Sequence, residues 1–123
     1  MANISGVGAL FIHAKEPAAL AEWYQNKLGF KFDHSPADNS HYGQISDPAS
    51  GITVYLAIVP AKAELPYGNR GVMINYKVND YDAFISKLVK AGVTIEKRRG
   101  EGQSKFSYIS DPEGNPIELW SGM

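Results

Sequence analysis

Cysteine is absent from the 123 residues, which removes disulfide frameworks, thiolate metal centres and cysteine nucleophiles together. An excess of either charge sign is also missing: 12 Lys and Arg stand against 13 Asp and Glu, for a formal net charge of −1. That balance supplies neither the basic footprint of a nucleic-acid binder nor an acidic tail for a charge-driven partner. Long apolar runs are missing as well. The opening stretch MANISGVGALFIHAKEP has no basic segment ahead of its short apolar one, so it does not read as a secretory leader. Nothing approaches the roughly 20 apolar residues of a membrane span. Nucleophile elbow, phosphate loop, paired-histidine zinc helix and dinucleotide fingerprint are not found. These absences lead to the expectation of a cytoplasmic protein that binds neither nucleic acid nor membrane.

The length sets the prior at one domain, with a core able to bury roughly 65% of the unfolded chain's surface. Within it a repeat is visible. Ile45-Ser46-Asp47-Pro48 recurs as Ile109-Ser110-Asp111-Pro112. Each copy follows an aromatic-containing strand-like stretch (His41-Tyr42-Gly43-Gln44, Lys105-Phe106-Ser107-Tyr108) and precedes a glycine turn and an apolar strand (Val54-Tyr55-Leu56, Ile117-Glu118-Leu119). Proline fixes φ and glycine permits φ > 0, so each half ends in a hairpin-like unit. The upstream parts match too. Val7 to Ala14 is strand-like, Glu16-Pro17 opens a helix with Leu20, Tyr24 and Leu28 on one face, and Gly29 closes it. In the second half Val72 to Val78 reads as a strand. Asn79 or Asp80 is the candidate N-cap of a helix carrying Tyr81, Phe84, Ile85, Leu88 and Val89, Gly92 ends it, and Val93-Thr94-Ile95 starts the next strand. The order β-α-β-β-β, twice, predicts an α+β fold. Two βαβββ modules, about 4–59 and 71–121 with a linker about 60–70, would form curved, mostly antiparallel sheets around a cavity with helices on the outer face.

Trp23-Tyr24 with Leu28-Gly29-Phe30, and Asp111-Pro112-Glu113-Gly114-Asn115-Pro116-Ile117-Glu118-Leu119, resemble the glyoxalase/bleomycin-resistance/extradiol-dioxygenase (vicinal oxygen chelate) superfamily over nearly the whole chain. The resemblance implies the fold just described, a homodimer, and, in metal-dependent members, four ligand positions on the first and last strands of each half. Counting along this sequence puts those positions at Ala9, Tyr55, Met73 (Val72 if the count slips by one) and Glu118. Only Glu118 is a usual ligand, so no metal and no cofactor are expected.

Strand alternation then assigns the lining of the cavity. Phe11 and His13 follow position 9 to one face, while Leu10 and Ile12 face the helix. Met73, Asn75 and Lys77 point in, against Val72, Ile74, Tyr76 and Val78. Tyr55 and Ala57 join them, with Glu118 and Trp120; Tyr42 and Tyr108 are left open. The predicted ligand-binding set is Phe11, His13, Tyr55, Met73, Asn75, Lys77, Glu118 and Trp120, an aromatic wall with a few polar groups suited to a planar small molecule. His13, with Glu118, is the candidate acid–base pair of the alternative reading: a lyase, isomerase or dioxygenase-type enzyme, metal-free or with an unorthodox ligand set. His34 and His41 are expected to flank a flexible loop over residues 35–40, and Lys97-Arg98-Arg99 to form a charged hairpin turn.

Overall fold

Among the described residues, eight strands and two helices follow one another in the predicted order. The computed structural model describes residues 2, 7–61, 72–101 and 104–122, and these fall into two compact units, Met1–Gly68 and Asn69–Met123. The first holds β1 (Ala9–Ala14), α1 (Pro17–Trp23), β2 (Asp33–Ser35), β3 (Ser40–Ser46) and β4 (Thr53–Pro60). The second holds β5 (Ile74–Lys77), α2 (Tyr81–Lys90), β6 (Lys97–Glu101), β7 (Ser104–Ser110) and β8 (Pro116–Trp120). The sheets are four-stranded, ordered β1-β4-β3-β2 and β5-β8-β7-β6. In each, the first and last strands of the unit pair in parallel and the rest are antiparallel. The repeat in the sequence is therefore a repeat of topology, and the fold is α+β. Of the expected linker, residues 62–70 lie outside the described residues, as do residues 4–6 at the start of the first module.

Local chemistry accounts for the element ends. Pro17 occupies the first turn of α1, where its missing N–H costs nothing, and Leu20 N–H bonds the Glu16 carbonyl at 2.9 Å. The helix runs on through a π-helical turn, Tyr24–Leu28, and stops at Gly29 with φ 81°, a conformation that a side chain disfavours. Asp80 stands at the start of α2, but with φ 53° and no side-chain cap; its backbone carbonyl alone accepts from Phe84 N–H, at 3.0 Å. The two Asp-Pro turns share a device. Asp47 Oδ1 accepts from Ala49 N–H at 3.0 Å, and Asp111 Oδ1 accepts from Glu113 and Asn115 N–H at 2.9 and 3.0 Å. Each aspartate replaces a backbone partner that the turn removes.

Each sheet buries one face. In the first unit Ile12, Leu56 and Ile58 are buried, in register across β1 and β4. α1, which touches β1, β3 and β4, contributes buried Leu20 and Ala21, and the π-helical turn after it contributes buried Tyr24. In the second, Ile117, Leu119 and Ile109 are buried with Ile85 and Leu88 of α2, and a short hydrogen bond joins Tyr81 to Ser107 of β7. A fully buried Leu or Ile stabilises by about 1.5–3 kcal/mol, so these positions carry the fold.

Four expectations need correction. Val93-Thr94-Ile95 is not strand: Val93 N–H bonds the Leu88 carbonyl at 3.0 Å, and pairing with β7 begins only with Glu96 N–H to the Tyr108 carbonyl. Val72 and Met73 precede β5, which starts at Ile74, and Val72 is exposed rather than turned to the helix. His34 and His41 do stand on either side of the connection, but as a paired strand position of the β2–β3 hairpin; Ser35 and Ser40 pair as well, so the loop narrows from residues 35–40 to the turn at 36–39. Lys97-Arg98-Arg99 is not a turn but the body of β6, whose backbone groups the β7 partner satisfies.

Candidate functional site

The face of each sheet opposite its buried one carries the polar and aromatic residues. In the first unit Ala9, Phe11 and His13 stand beside Tyr55, Ala57 and Val59 of β4, and β3 sets Tyr42 beside Ala57. Phe11 is 58% and Tyr55 53% exposed, whereas Ala57 is buried. The structure thus brings predicted Phe11, His13 and Tyr55 onto one face and adds Tyr42, another exposed ring. His13 Nδ1 is buried without a hydrogen-bond partner among the described residues.

In the second unit two rows cross the sheet. One runs Asn75, Glu118, Tyr108, Lys97 and the next Lys77, Trp120, Phe106, Arg99. Register places these side chains on one face, because directly paired residues share a side. Met73 lies just outside the strand and half-exposed. Glu118 is the centre of a hydrogen-bonded cluster. Asn75 Nδ2 donates to Glu118 Oε1 at 2.7 Å, and the Tyr108 hydroxyl donates to Oε2 in a short bond. Arg99 Nη2 approaches the same oxygen at 3.6 Å, while Arg99 Nε donates to the Tyr108 oxygen at 2.7 Å. The Tyr108 hydroxyl first, then the Asn75 amide and the Arg99 charge, hold the Glu118 carboxyl below the usual carboxylate range. The guanidinium lies over the Phe106 ring, 4.2 Å from its centroid, a cation–π arrangement. Phe106 and Trp120 stack with centroids 6.3 Å apart and planes 9° from parallel. Trp120 Nε1 is buried and without a partner among the described residues; an orphaned donor of this kind costs about 1–3 kcal/mol. A groove of about 540 Å³ between α2 and β6–β7 is also bordered by Arg99 and Phe106.

Asn75, Lys77, Glu118 and Trp120 were placed on this face from the sequence, Tyr108 was left open, and Arg99 and Phe106 were missed. Their signal was present. Lys97 and Arg99 alternate with period two, as do Phe106 and Tyr108, on either side of a glycine-containing turn. Three consecutive cations masked that alternation.

A family model described as the Glyoxalase/Bleomycin resistance protein/Dioxygenase superfamily matches residues 6–119. The chain belongs to that superfamily. No curated protein matches it in sequence, but solved structures share its fold. An antibiotic-binding protein, TnmS3, from Streptomyces sp. CB03234 is 21% identical, with 97% of each chain covered and a TM-score of 0.69. A putative glyoxalase family protein from Bacillus anthracis is 18% identical over the whole of both chains, at TM-score 0.73. The fosfomycin resistance protein FosX from Listeria monocytogenes, solved with Mn(II) and sulfate, is 17% identical, covers 98% of this chain and 93% of its own, and has a TM-score of 0.72.

Family membership makes a metal the first group to test against these residues. At the four positions that counting from the resemblance gave, Ala9 and Met73 provide no oxygen or nitrogen side-chain donor for a divalent cation, and Tyr55 provides a neutral phenol. Glu118 has both oxygens engaged by protein donors. Among the described residues, no three His, Cys, Asp or Glu side chains converge. The donor set does not fit a divalent cation, which needs several such donors near 2 Å. Among the described residues, no helix is long and apolar enough to cross a membrane.

Proposed function

We propose that this chain is a small-molecule-binding protein of the glyoxalase/bleomycin-resistance type, taking a planar or aromatic ligand on its sheet faces without a metal ion. The observation that carries this reading is the state of Glu118. Its carboxylate is held by Asn75, Tyr108 and Arg99, a set of donors that competes with any cation for the same lone pairs. The faces themselves are aromatic, with Phe11, Tyr42 and Tyr55 in one unit and Phe106 and Trp120 in the other. Rings of this kind bind planar compounds with little entropic loss. TnmS3, described as an antibiotic-binding protein, sets a precedent for binding on this fold. The protein is read as a homodimer, as the family resemblance implies, and as cytoplasmic, the expectation drawn from its composition.

The test is a panel of planar aromatic compounds, read by thermal shift on protein stripped with a chelator. At a hundred-fold excess over Kd a ligand adds about 2.7 kcal/mol of stability, and the shift should be the same with and without added Mn²⁺ or Zn²⁺. Binding or turnover that disappears with the chelator and returns with stoichiometric metal would overturn the reading. The alternative, metal-free acid–base catalysis by His13 and Glu118, has one favouring observation: His13 Nδ1 is left unpartnered. Glu118 weighs against it, since a carboxylate stabilised by three donors is a weak base.

A further inference from the structure

From this binding reading, on which the step rests, we infer that Arg99 is the ligand's anion receptor: the second sheet face takes an aromatic compound bearing an acidic oxygen, with the guanidinium at the anion and the ligand's ring packed against the edges of the Phe106–Trp120 stack. Arg99 is anchored on one edge only. Its Nε is committed to the Tyr108 hydroxyl at 2.7 Å and Nη2 leans on Glu118 at 3.6 Å, yet its side chain remains 53% exposed. A guanidinium has five N–H donors in one plane, so the outer ones are left to address solvent or a ligand oxygen. Its plane is seated over Phe106, and Phe106 is stacked with Trp120.

The surrounding charge has the matching sign. Lys97 and Lys77 occupy the same face by register, and Glu118, the carboxylate that register sets between them, is internally bonded. Glu118 and Tyr108 act here as positioning residues: they fix the guanidinium without touching the ligand. A neutral aromatic would gain the apolar ring contact but not the charge-assisted bond, so charge is what this face discriminates.

Naphthalene-2-carboxylate and naphthalene-2-carboxamide, matched in shape and differing in charge, test the assignment. Binding is followed on the Trp120 indole N–H resonance, assigned with the Trp23→Phe variant. The carboxylate should bind roughly tenfold tighter than the amide in the wild type, the worth of one charge-assisted hydrogen bond. Arg99→Gln should erase that preference while leaving the amide's affinity unchanged. Tyr108→Phe, which keeps the charge but frees the guanidinium, should narrow the preference to a few-fold. Lys90→Gln, which removes one exposed cation from α2, should leave it intact. Equal binding of both probes in wild type and Arg99→Gln overturns the anion assignment and leaves the aromatic-binding reading standing. Binding of neither probe overturns both.

Discussion

At the scale of single residues, Glu118 shows how a side chain of familiar type is put to a different use by its neighbours. Replacing it with Gln keeps the volume but deprives Tyr108 and Arg99 of their anionic partner. Glu118→Gln should lose about 1–2 kcal/mol of stability, the worth of hydrogen bonds to a charged group, seen as a lower urea midpoint with an unchanged slope. The pH dependence has a definite sign. The folded carboxyl titrates below its ordinary value, so its contribution is complete above the unfolded value of about 4.3 and disappears as pH falls through the folded one. The difference between wild type and Glu118→Gln should therefore shrink in acid; an identical difference at pH 7 and pH 3 would disprove the account. His41 behaves in the same sense by another route. Burial first, and the adjacent His34 second, lower its pKa. The two rings stack at 4.7 Å, and His41 Nε2 has no partner among the described residues. The unfolded chain thus takes up a proton near pH 6.5 before the folded one does, so stability falls as pH drops from 7 through the folded value and then levels. His41→Gln should flatten that slope in denaturation series at pH 7.5 and 5.5.

Among the elements, the close approach of the chain segment after α1 to the first sheet is decided by one glycine. A Cβ on Gly43 would meet the Lys31 carbonyl oxygen at 2.7 Å and the Phe32 ring at 3.1 Å. Gly43 pairs with Leu56 in the interior of the sheet, so neither neighbour yields easily. Gly43→Ala should cost about 1–3 kcal/mol, the range for overpacking a core, with a thermal midpoint several degrees lower; a change under half a kcal/mol would show that segment to be loosely held. Element order, the Pro17 start and the Gly29 stop were legible in the sequence because each depends on backbone chemistry within a few residues. The nature of β6 was not. Three cations beside a glycine resemble a solvated turn until β7 provides the hydrogen-bond ladder that makes them a strand.

For the molecule as a whole, the reading makes two claims that bulk measurements check. Chelator treatment followed by Mn²⁺, Zn²⁺ or Ni²⁺ should leave the thermal midpoint within about 1 °C of its starting value, since a site with one carboxylate gains little from binding. Sedimentation should give close to twice the chain mass; a monomer at high concentration would remove the dimer from the proposal. The repeat, the α+β order and the superfamily were readable from residues alone, because periodicity and turn chemistry are local. Only tertiary structure could decide what Glu118 does. Its partners come from Asn75, Arg99 and Tyr108, on three different strands, and nothing in linear order predicts which donors a parallel pair and a hairpin will set side by side. That assembly turns a lone carboxylate into the anchor of an exposed guanidinium.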